Sequence, residues 1–167
     1  MVLRYLPFEA GVIFRQVCNS FKERVWPNSF TAINLNQNFL MAQVQLVNRR
    51  RAAATDSATS YAIAPKLIQE LTSIDTVSFT GLNLTKVFKC TTDGNNCLLQ
   101  CLDVLSAKQH NRKISRLILT GITIDSIFDA ETFCKKFVSR LTQIEELTIS
   151  KCQPMFIDKF LLSISGA

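Results

Sequence analysis

Apolar and polar positions along this chain follow two periods in alternation. Ile74 to Leu84, I-D-T-V-S-F-T-G-L-N-L, alternates polar residues with Val77 and Phe79, as a half-buried strand does, before Gly81 and Leu82 break the alternation. The same arrangement returns twice without gaps, as I-S-R-L-I-L-T-G-I-T-I from Ile114 to Ile124 and I-E-E-L-T-I-S-K-C-Q-P from Ile144 to Pro154. Its common form is apolar-x-x-apolar-x-apolar-(Thr/Ser)-(Gly/Lys)-apolar. Phe30 to Leu35, F-T-A-I-N-L, fits the front of it. The copies start at Phe30, Ile74, Ile114 and Ile144, so the spacing shortens along the chain, and each gap carries helical periodicity. Asn96 is placed to cap a helix with Leu98, Leu102 and Leu105 on one face. Asp129 is placed to cap another with Phe133, Phe137 and Leu141, and Pro154 to open a third with Ile157, Phe160, Leu161 and Ile164. The unit is strand, turn, helix, repeated four times.

One short strand and one helix cannot bury their own apolar sides, but stacked copies can, with the strands forming a parallel sheet. The expected fold class is therefore α/β. The strand positions that alternate with the core ones point outward: Thr76, Ser78 and Thr80, then Arg116, Ile118 and Thr120, then Glu146, Thr148 and Ser150. Before the repeats, Glu9 to Val25 reads as a helix with Phe14, Val17, Cys18, Phe21 and Val25 in one stripe, preceded by Pro7 and ended by Pro27. Leu40, Val44 and Val47 share a helical face. Ala52 to Ser60 reads as a loop, and Pro65 as the first residue of a helix burying Leu67, Ile68 and Leu71.

Composition narrows the function classes. Hydrophobic residues make up 47% of the 167 and charged residues 19%, enough for a real core and too apolar for disorder. No run approaches the roughly 20 apolar residues of a membrane span. Arg4, Pro7 and Glu9 interrupt the N-terminal apolar stretch, so it does not read as a secretory signal, and an intracellular protein is expected. Cys18, Cys90, Cys97, Cys101, Cys134 and Cys152 lie in apolar, mostly helical surroundings and are expected to be reduced. Cys97 and Cys101, with His110 further on, match no zinc spacing, so neither metal nor cofactor is expected. The carboxylates are scattered and His110 sits in a polar run, which leaves no acid–base pair and no expected catalysis. The net charge of +6 owes much to Arg49-Arg50-Arg51 and to the cations near the start. That raises a rival reading as a binder of nucleic acid or anionic membrane, but the outward strand positions lack the basic strip and stacking aromatics such a partner calls for.

The repeated pattern is similar to the leucine-rich repeat, L-x-x-L-x-L-x-x-N/C-x-L, with Leu147, Ile149 and Cys152 in the matching places. The two longer spacings, between the first three copies, then imply loops inserted in the first two units. The N-terminal helix resembles another family. Phe14-Arg15-Gln16-Val17-Cys18-Asn19-Ser20-Phe21 is close to the Leu/Phe-Arg-x-Val-Cys-x-x-Phe segment in the second half of an F-box. The order, F-box then degenerate leucine-rich-repeat-like units, resembles the large invertebrate families of F-box substrate receptors. Leu6-Pro7-Phe8-Glu9 mimics the start of a full F-box, yet Leu6 stands too close to Val17, at half or so of the family's spacing. Leu6-Pro7 therefore aligns with the middle of the F-box, and an N-terminally truncated F-box is expected.

The resemblance implies two parts, a partial F-box over residues 1–27 and a repeat domain over 28–167, cytoplasmic, nuclear or both. It implies a substrate-recognition subunit of a ubiquitin ligase. Leu6, Pro7, Phe14, Val17, Cys18 and Phe21 would dock on the Skp1-type adaptor of a cullin complex, and the nine outward strand residues would hold a protein substrate of unknown identity. Neither membrane nor nucleic acid is an expected partner. The alternative is an orphan repeat module or gene fragment that binds protein without ligase coupling.

Overall fold

Each copy of the repeated pattern forms a short strand, and the gapless alignment of the copies is the pairing register. A computed structural model describes residues 10, 30–43, 45, 63–92, 95–107, 114–138 and 144–165. The long strands are β1 (Ala32–Asn36), β2 (Thr76–Thr80), β5 (Arg116–Thr120) and β6 (Glu146–Ser150). They form one parallel sheet in the order β1-β2-β5-β6. Ala32 lies beside Thr76, Thr76 beside Arg116 and Arg116 beside Glu146, and the register runs on without a slip. Paired residues are offset by the same distances along the chain as the copies of the pattern. The chain is thus a mixed α/β fold.

Helices lie between the strands. Asn36 caps α1 (37–43) by accepting from Phe39 N at 2.9 Å. The next helix, α2 (Ile63–Glu70), buries Leu67 and Ile68, with Leu71 just beyond its end also buried. It begins two positions before Pro65, which the sequence places first. Pro65 fits inside because the opening amides of a helix have no intrahelical acceptor to lose.

The second return holds more than the expected single helix. A short α3 (Leu84–Lys89) comes first, capped by Asn83, whose side chain accepts from Lys86 N at 2.9 Å. An antiparallel hairpin follows, β3 (Thr91–Thr92) with β4 (Asn95–Asn96), and leads into α4 (Cys97–Ser106). A helix as short as α3 does not print a period in the sequence.

Asn96 is the joint of this return. It caps α4 by accepting from Leu99 N at 3.0 Å. Its amide donates back to the carbonyls of Val87, Phe88 and Cys90 at 2.7, 3.2 and 3.1 Å. One buried side chain therefore satisfies both the start of α4 and the loose end of α3. Leu98, Leu102 and Leu105 are buried as their spacing predicts.

The third return holds α5 (Ile127–Lys136) and the last element is α6 (Pro154–Ser165). The cap of α5 is Ser126, which accepts from Phe128 N at 3.3 Å, and not Asp129. Asp129 lies in the first turn and accepts instead from the hydroxyl of Thr85. Its negative charge suits that end of the helix equally well.

Inward strand residues Ile33, Leu35, Val77, Phe79, Leu117 and Leu119 meet the helices in one core. Phe79 stands edge-on to Phe133 and Phe137, with ring centroids at 5.3 and 5.4 Å. Phe133 reaches Phe156 at 6.0 Å, and Phe156 reaches Phe160 at 5.9 Å. Five of the twelve phenylalanines thus form a chain of rings from β2 to α6, each buried ring contributing about 1.5–3 kcal/mol.

In α6 the buried residues are Phe156 and Phe160. Leu161 and Ile164, read from the sequence as core, are 46% and 38% exposed because among the described residues nothing packs beyond α6.

Each strand of the parallel sheet after the first is followed by a left-handed residue. Gly81 and Gly121 have φ of +60° and +64°, and Lys151 takes the same conformation at +54°. The shared (Thr/Ser)-(Gly/Lys) step in the sequence is this turn, which glycine enters without penalty and lysine does not.

Candidate functional site: the outer face of the sheet

Alternation in the strands places three rows of side chains on the face away from the helices, and register aligns the rows. The first row is Ala32, Thr76, Arg116 and Glu146. The second is Asn34, Ser78, Ile118 and Thr148, and the third is Asn36, Thr80, Thr120 and Ser150. All nine residues predicted from the repeats therefore share one face. β1 adds Ala32, Asn34 and Asn36. Sequence reasoning left these out, although the fit of Phe30 to Leu35 to the pattern was the signal for them.

Accessibility grades across the face. Glu146, Thr148 and Arg116 are exposed. Ser78, Thr80, Ile118, Thr120 and Ser150 are half-buried. Thr76 departs from the expected open surface. It is only 9% exposed, and its hydroxyl donates to Asp75 Oδ1 at 2.8 Å. Strand period fixes which face a side chain joins; it does not fix how much water reaches it.

Neighbouring strands bond to each other across this face. Arg116 Nε lies 3.6 Å from Glu146 Oε2, and both side chains are more than half exposed, so the pair orients the row more than it stabilises the fold. The hydroxyls of Thr120 and Ser150 are 3.0 Å apart. Ser78 donates to the carbonyl of Ile33 at 3.2 Å. Beyond the third row, at the carboxyl ends of β1 and β2, a polar recess of about 440 Å³ is lined by Asn36, Gln37, Asn38, Phe39, Thr80 and Gly81. The face as a whole carries hydroxyls, amides, one ion pair and a single half-buried isoleucine. It can hydrogen-bond and make shallow apolar contact.

Two buried thiols in the helices are held in the neutral form. The Cys101 thiol is held well above the ordinary thiol range by its hydrogen bond with Cys97 and then by burial. Burial likewise pushes Cys134 up, partly opposed by a hydrogen bond with Ser163. Neither presents a thiolate at neutral pH. Among the described residues the cysteines are unbridged, and no cluster of His, Cys, Asp or Glu has the makings of a metal site. No helix there is long and apolar enough to cross a membrane.

The residues predicted to meet an adaptor, Leu6, Pro7, Phe14, Val17, Cys18 and Phe21, lie outside the described residues, as do Arg49 to Arg51, His110 and Leu141. Compared with known protein families, curated proteins and solved structures, the chain matches none.

Proposed function

We propose that the chain is a protein-recognition module of leucine-rich-repeat-like units, the substrate-recognition subunit of a Skp1-cullin-F-box ubiquitin ligase. The observation that carries the recognition half is the sheet. Consecutive units give consecutive parallel strands, helices fill one side, and the other side is left to a polar, aligned surface. A solenoid of repeats uses its strand face in this way for extended protein partners. Support for the ligase half comes from the sequence of the N-terminal segment, Phe14 to Phe21. In this reading the chain supplies no chemistry. It brings a substrate close to a reactive ubiquitin thioester carried by others.

Pull-down of a purified Skp1-type adaptor by the full chain tests the reading, with Phe14→Ala/Phe21→Ala as control. The expected result is capture by the native chain and loss in the variant. A chain that folds by circular dichroism and captures no adaptor overturns the ligase half and leaves a recognition module uncoupled from ubiquitin transfer.

A further inference from the structure

We draw no further inference here: the strongest candidate, the apolar surface of the last helix, α6, where Leu161, Leu162 and Ile164 are exposed, carries none because nothing in the structure shows what covers it.

Discussion

The middle of the sheet and its last strand are written in nearly the same pattern but live in different surroundings. Leu117 in β5 and Leu147 in β6 are register partners on the same face, the first fully buried and the second more than a third exposed. The difference lies in the neighbours. β5 has a strand on each side, whereas among the described residues β6 has one on its β5 side alone. The core value of a repeat position is therefore set by how many units flank it, as expected when each unit contacts only the next.

Three sets of substitutions sharpen or break that contrast. The largest effect is expected from the matched pair. Leu117→Ala should lower unfolding stability by about 2–5 kcal/mol, and Leu147→Ala by about 1 kcal/mol in dilute solution, read from urea midpoints. Equal losses would show that position within the stack does not matter. Next is Asn96→Ala, which removes a helix cap and strands three carbonyls between α3 and α4. A loss of roughly 2–4 kcal/mol is expected. Asn96→Asp keeps the capping oxygen without the amide donors and should still be clearly destabilised. A neutral Asn96→Ala would mean that the joint between the two helices is not structural. The smallest effect compares the turns. Gly121→Ala should destabilise by about 1 kcal/mol, and Lys151→Gly should stabilise by about the same, because both positions are left-handed and only one holds glycine. Thermal melts of the two variants moving in the same direction would contradict the shared turn geometry.

The strand register was legible because three segments align without gaps, so the offset between copies could be counted directly. The cap of α4 was legible for a similar reason: Asn96 directly precedes a clean helical stripe. Other features depend on what a residue meets in space. Asp129 and Ser126 are both good capping types close together in the chain, and only the backbone shows that the helix starts at Ile127. The inner set of α6 could not be read from its own period, since Phe156 and Leu161 are equally apolar and differ in having α5 as a neighbour. Thr76 belongs to the outer face as the period says, yet it is buried. Of the candidate site, its face and nine of its twelve residues came from the sequence, whereas the three residues of β1, the gradient of exposure and the bonds across the face came from the fold.

The unequal returns have a consequence for how such a chain can change. The returns shorten from the first to the third, yet the strands they join hold the same register, so the intervening length is not what sets the sheet. Doubling a flexible return costs only about 0.6 kcal/mol in closure entropy. Insertions and deletions that fall between strands but outside the buried helices and the Asn96 joint are therefore nearly silent to folding, whereas a one-residue shift inside a strand turns every side chain to the wrong face. Length drift over evolution should collect in the returns and leave the strand segments intact. A fluorescent label or epitope placed in a return, outside its helices and the Asn96 joint, should report on the protein without disturbing it.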